Sequence, residues 1–551
     1  MIAAAGLLLA LLTPASQQAA APAAPAPLRP PTRADILRGE YGRYRANNDV
    51  RFYHLDVRID PVARTIRGKN AIRFRMLRDD TRIQIDLYDN LAVDRILLAG
   101  RPLEYTRELH AVFIDFPDTL KSGREYTIEF HYSGTPRESG RFGGFVFSKD
   151  PAGNPWIFTA CEGQGAAIWW PNKDQWRDEP ESMDISVAIP ANLTDVSNGR
   201  LLGKTDLGDG YTRWDWRVHY PINSYNVSVN IGNYAHFAGT LPSSGSMPPV
   251  SLDYYVLPAN LEKAKAQFAQ AGPMLGAFQR FFGGYPFPKD GFKLIEVPYS
   301  GMEHQSAVTY GNRFANGYLE RDWTGVGVSL KFDFIIIHES GHEWFGNAVS
   351  AADVSDMWIQ EGWTTYLEGL YVEHVFGYAD ALKYINGYKT KVQNREPIIT
   401  QRGIHRTPGQ DMYFKGALFL HTLRNVVDDD ARWWRLIRGL YDRFRYRNSM
   451  TEEIVAFVNK ELGQDLTPVF DQYLRRAAIP VLELAFDDAR GTVAFRWKAD
   501  ERAFAMPVRI GTPGAWQTIR PTTDWQSMKA PAGKDALQVA TDLYYIGVAR
   551  Q

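Results

Sequence analysis

The stretch "FIIIHESGHEWFGN", residues 334–347, sets two histidines four apart with a glutamate directly after the first. The ionisable side chains follow Ile335, Ile336 and Ile337, so a segment apolar enough to be buried also carries polar chemistry. On an α-helix four residues advance about 400°, which leaves His338 and His342 about 40° apart on one face, where both imidazoles reach one metal ion. Glu339 is turned about 100° from His338, off the metal and beside a water held there. This is the H-E-x-x-H arrangement, with two histidines as ligands and the glutamate as general base. Taken alone the pattern also fits two histidines on an ordinary helix. A catalytic site needs a third protein ligand and an open fourth position. Glu361, 19 residues after His342 in the helix-like "DMWIQEGWTTYLEGLY", supplies that ligand if a helix, a short turn and an antiparallel helix bring it back to the two imidazoles. Two His, one Glu, no cysteine close by in sequence and a poised Glu339 favour catalytic over structural zinc.

Outward from this motif the hydrophobic period changes. From about 50 to 235 it is two: Tyr53, Leu55, Val57 and Ile59; Ile72, Phe74 and Met76; Met183, Ile185, Val187 and Ile189; Tyr225, Val227, Val229 and Ile231. A β-domain with one wet face is expected there. Helical patterning starts at 260–282 and dominates from about 325 to 478, where Thr451 and Glu453 mark one helix start. Alternation returns after Pro480 with Leu482, Leu484 and Phe486, then Val493, Phe495 and Trp497. The chain therefore divides into an N-terminal β-domain (46–240), a mostly helical catalytic domain (241–478) and a small β-domain (479–551), a multidomain α+β protein. At 551 residues more than one core is expected.

Net charge of -1 and the lack of a basic run give no case for nucleic acid. The apolar run "IAAAGLLLALL", residues 2–12, is too short to span a bilayer and is followed by small-residue cleavage options, so residues 1–21 are expected to be a signal peptide and the protein periplasmic or secreted. From Pro14 to Pro31, 13 of 18 residues are Ala or Pro, which extends the N-terminal reading to a linker over 22–45. Cys161 is the single cysteine, so no intramolecular disulfide forms. No later stretch is apolar and long enough for an integral membrane segment.

"HESGHEWFGN" with the glutamate of "WIQEGW" resembles the zinc signature of the gluzincin aminopeptidases, the family of aminopeptidase N and leukotriene hydrolase. "SGMEHQ", residues 300–305, is similar to that family's G-x-M-E-N exopeptidase motif, with His304 where Asn is usual. "MYFKGALFL", residues 412–420, is similar to its Tyr-x-Lys-Gly segment, and "TACEGQGAAIWWPNKD", residues 159–174, to the N-terminal-domain segment that projects a polar side chain into the active site. The resemblance covers about 50 to 551. It implies an N-terminal β saddle or sandwich, a thermolysin-like catalytic domain and a small C-terminal β-sandwich, in a three-domain form without the large C-terminal helical domain. It further implies one zinc ion held by His338, His342 and Glu361, with Glu339 and Tyr413 catalytic. Glu303 and Glu162 become the anchors of the substrate's free α-ammonium, with Gly301 and Met302 along the substrate.

A zinc-dependent aminopeptidase acting on peptides with a free N-terminus is the activity expected. Its rivals are a zinc endopeptidase, an epoxide hydrolase and a peptide-binding protein with a relic metal site. A three-domain form also predicts an open site that tolerates longer peptides. His304 is expected to influence the amine subsite electrostatically. Trp169, Trp170, Trp433 and Trp434 read as packing residues, and Cys161 as a small packed one.

Overall fold

A computed structural model describes residues 29–551 except 140, 141, 244 and 246. The expected signal peptide and all of the Ala/Pro-rich stretch before Arg29 lie outside the described residues. The linker reading fails from Thr32 onward. Thr32 Oγ1 accepts from Asp35 N (3.2 Å) and Asp35 Oδ2 accepts from Thr32 N (2.7 Å), a reciprocal cap that starts helix α1, Arg33–Gly39. Just beyond, Arg45 is fully buried and donates to the buried Asp86 at 2.6 Å, which ties this segment to the first β-domain.

Period-two alternation becomes an eight-stranded sheet. Its centre is strand Asn48–Asp60, antiparallel to Thr65–Met76 and parallel to Ser182–Pro190, with Leu55 opposite Ile185 and Val57 opposite Val187. Tyr53, Leu55, Val57 and Ile59 are buried and their neighbours half-buried, as one wet face requires. The last expected strand of this domain differs. Ser224–Asn226 is a 3-10 turn capped by Asn223, and only Val229–Gly232 is strand, all four of its residues buried. The residues alternate, yet this strand is buried on both faces, and Tyr225 leaves the sheet for a turn.

The region expected to be catalytic is built on a five-stranded sheet in the order Ala235–Leu241, Val250–Val256, Phe292–Glu296, Val308–Tyr310, Gly301–Met302. Ala235–Leu241 pairs here, so the change of sheet falls a few residues before 240. Against this sheet lies α2, Phe334–Gly341; α3, Trp358–Phe376, packs on α2 and, after α4, Tyr378–Gly387, on α5, Asp411–Val427. Two close approaches set the frame. A Cβ on Gly301 would stand 2.6 Å from Ile335 Cγ2 and 3.0 Å from Glu339 Cγ, so only glycine lets the edge strand touch α2. At the crossing of α3 and α5, a Cβ on Gly416 would stand 3.0 Å from Gly362 Cα, so backbone meets backbone.

After Pro480 the chain forms a four-stranded sheet around Val481–Asp487 and Thr492–Lys498 and a three-stranded sheet around Val508–Thr512. Trp169, Trp170 and Trp433 are fully buried, as packing residues should be.

Candidate active site

Helix α2 is capped by Asp333, whose side chain accepts from Ile336 N at 3.2 Å, and its buried isoleucines fix the roll that turns His338 inward. His342 sits at the helix C-cap, still in right-handed helical geometry, so the four-residue spacing survives. His338 Nε2 and His342 Nε2 are 3.3 Å apart. Glu361, in the first turn of α3, places Oε2 3.2 Å from His342 Nε2 and 3.6 Å from His338 Nε2. The connection is not the short turn expected. Residues 342–357 include the strand Val349–Ala351, which pairs in parallel with Arg447–Ser449, and a 3-10 turn at Val354–Asp356. Pairing with a strand about a hundred residues downstream has no local sequence signal.

These three donors fit a zinc ion. Glu361 Oε2 is buried with no hydrogen-bond donor, while both Nδ1 atoms are engaged elsewhere. His338 Nδ1 faces Glu368 Oε1 at 2.7 Å, and His342 Nδ1 faces Phe345 O at 2.9 Å. Acceptors at Nδ1 fix the tautomer that leaves each Nε2 lone pair pointing at the same spot. Two imidazoles and one carboxylate are a catalytic zinc set. Burial raises the Glu361 carboxyl, yet protonated His342 and His338 outweigh it and hold the group far below its usual range; a bound dication would favour the ionised carboxylate in the same way while both Nε2 lone pairs serve as ligands.

The remaining expected residues converge on the same space. One cavity is lined by Glu162, Gly301, Met302, Glu303, His338, Glu339, His342, Glu361 and Tyr413. Oxygens of Glu303 and Glu339 and a nitrogen of His342 lie within 4.8 Å of one another. Burial pushes the Glu339 carboxyl up to about 7 against the downward pull of His338. Burial likewise raises Glu162, reinforced by Glu303 and Glu361, and Glu162 Oε1 has no partner. Tyr413, half-buried in the first turn of α5, is kept protonated by burial and by Glu361, with its ring 6.2 Å from that of His338. His304 takes no part in this polar network. It is fully buried, neither ring nitrogen has a partner, and burial pushes its pKa down to about 3, which favours the neutral ring.

Several residues of the site were not foreseen. Tyr225, on its 3-10 turn, donates to Glu303 Oε1 at 3.0 Å. Side chains hold the backbone of the 303–306 loop: Asn347 Nδ2 donates to Glu303 O (2.8 Å), Asn198 Nδ2 to Gln305 O (2.8 Å), and Glu343 Oε1 accepts from Ser306 N (2.8 Å). Glu368 accepts from Tyr384 Oη at 2.6 Å and also from Tyr388 Oη, so two phenols aim the carboxylate that aims His338. Of these only Glu368 had a readable signal: seven residues after Glu361 is nearly two helical turns, the same face of α3. Glu368→Gln is expected to weaken zinc binding about 10–100-fold, read by competition against a chromogenic chelator. An unchanged affinity shows that the Nδ1 contact does not tune the ligand.

The Peptidase M1 N-terminal domain matches residues 50–226, and the Peptidase family M1 domain matches residues 268–473, together well over half of the chain. The chain is 25% identical over 378 residues to human endoplasmic reticulum aminopeptidase 1, covering 64% of this chain and 38% of that protein. It is 20% identical over 321 residues to a leucyl aminopeptidase of Saccharolobus solfataricus, covering 56% and 39%. It thus spans about two fifths of the length of these relatives. Among solved structures, an M1 zinc metallopeptidase of Deinococcus radiodurans, as a mutant bound to a Tyr-Ser-Ala substrate, has a TM-score of 0.66 at 20% identity, covering 79% of this chain and 96% of that one.

Proposed function

Because the chain belongs to peptidase family M1, we propose that it is a zinc-dependent aminopeptidase that removes N-terminal residues from peptides. The observation that carries this reading is the placement of Glu303 and Glu162 in one cavity with the His338, His342 and Glu361 cluster. An α-ammonium is matched by converging carboxylates through charge-assisted hydrogen bonds. Tyr225 occupies one oxygen of Glu303, which orients the other toward the cavity. An endopeptidase must run chain through this space, where two carboxylates and their supports stand instead.

Zinc, when bound, supplies Lewis acidity to the scissile carbonyl and acidifies water. Glu339 takes a proton from the attacking water as the new C–O bond forms, and returns it to the leaving amine as the C–N bond breaks. The Tyr413 hydroxyl, kept protonated, donates to the carbonyl oxygen as it gains negative charge. Gly301–Met302 is the edge of its sheet, and its outer side offers backbone pairing to an extended substrate.

A peptide and its N-acetylated twin, digested and read by mass spectrometry, test the proposal. Stepwise loss from the free peptide alone is expected. Internal cleavage of both makes the protein an endopeptidase; cleavage of neither leaves the binding-protein and epoxide readings. The apolar run at residues 2–12 supports a secreted or periplasmic site of action. Among the described residues no helix is long and apolar enough to cross a membrane.

A further inference from the structure

The cavity is asymmetric. At the His342 end stand Glu303 and Glu339, within 4.8 Å of that imidazole. The His338 ring, 4.9 Å from His342 between centroids, stacks on Phe334 at 5.4 Å and 11°. Beyond Phe334 the wall is aromatic. Trp323 is 5.6 Å and Tyr318 5.5 Å from Phe334, the two are 4.8 Å from each other, and Phe414 is 6.3 Å from Trp323. All four line the cavity, and Tyr318 and Trp323 are only half-buried, so these rings keep free surface. Over Trp323, 3.7 Å from the ring centroid, lies the Lys391 ammonium. The neighbouring Asp322 directs its carboxylate to Gly327 N at 2.6 Å and to Ser329 Oγ.

A peptide whose ammonium meets Glu303 and whose first carbonyl lies at the histidines must leave past His338. Its second residue then meets the aromatic wall. We propose, resting on the aminopeptidase reading, that Tyr318, Trp323, Phe334 and Phe414 form the pocket for the residue after the scissile bond, and that the enzyme selects peptides with an aromatic or large apolar second residue. Lys391 sets a positive charge beside that pocket and selects against a basic second residue in favour of an acidic one.

Four tetrapeptides, Ala-Xaa-Gly-Gly with Phe, Gly, Asp or Lys as Xaa, test this by the kcat/KM of alanine release. An apolar pocket discriminates by about 10–200-fold, so Phe is expected to exceed Gly by at least about tenfold, and Asp to exceed Lys. Trp323→Ala should bring the Phe-to-Gly ratio down several-fold, and Lys391→Glu should invert the Asp and Lys order. Lys391 is half-buried and lies over Trp323 without lining the cavity, so its variant carries the test if Trp323→Ala does not fold. Alanine release with a flat profile, or ratios that neither variant moves, overturns the pocket while leaving the aminopeptidase standing. No alanine release from any of the four overturns the aminopeptidase reading and this inference with it.

Discussion

Glu339→Gln is expected to lower kcat/KM on an unblocked peptide by about 10²–10⁴-fold while leaving zinc content at that of the parent protein. The amide keeps the size and the hydrogen-bonding reach of the carboxylate but cannot accept the proton that water must lose. Glu339 is not one of the His338, His342 and Glu361 donors assigned to zinc, and although it and Glu303 also approach His342, loss of metal from the variant would expose that second set as the ligands. Full zinc with lost activity separates a proton acceptor from a ligand; lost zinc, or retained activity, removes Glu339 from the role. The same residue sets the acid limb of the pH profile. Burial pushes its carboxyl to about 7, and a bound dication a few ångströms away pulls it back down by favouring the ionised form. Activity should therefore fall as pH drops, with an apparent pKa below 7. A limb at or above 7 in the zinc-loaded enzyme contradicts that electrostatic picture.

His342→Ala is expected to abolish both zinc retention and hydrolysis, with less than about a tenth of an equivalent of metal left after dialysis. A three-donor site reduced to two loses the geometry that holds the ion, and the variant leaves Glu361 a buried carboxylate without its nearer imidazole, a costly state. Chelation of the parent protein should reproduce the loss, and added zinc should restore activity to the parent but not to the variant. Metal analysis and activity, read together, decide it; a variant that keeps stoichiometric zinc removes His342 from the ligand set.

How far the sequence could be read depended on the range of each interaction. His338, Glu339 and His342 were legible because helical geometry converts a spacing of four into a shared face, and the C-cap at His342 did not spoil it. Glu361 was legible as a residue type on the next helix, although its route there was not, since strand pairing with Arg447–Ser449 replaces the simple turn. Glu303, Glu162 and Tyr413 came from resemblance, and the fold gathers them from three distant segments into one cavity. Tyr225 was hidden by its neighbours. Its alternating run looked like exposed-face strand, but the chain turns at Ser224–Asn226 and then buries both faces. Helix α1 was missed because the Ala and Pro preceding Thr32 dominated the composition, while the cap that starts it is a four-residue signal, Thr32 to Asp35. The aromatic wall joins residues 318, 323, 334 and 414, a grouping no periodicity encodes.

The bare crossing of Gly362 and Gly416 ties the chemistry to the backbone. With no side chain between α3 and α5 at this point, there is nothing compressible to absorb a shift there, so Glu361 and Tyr413, each within three residues of the crossing, keep their separation as parts of one rigid piece. The segment that joins the two helices through residues 391–410, free of helix and strand, is relieved of that duty. Apart from Lys391, the buried Ile398, Ile399 and Ile404 and the Arg402 that pairs with buried Asp356, its exposed positions are open to change, and new contacts to substrate could be acquired there without disturbing the alignment of ligand and electrophile.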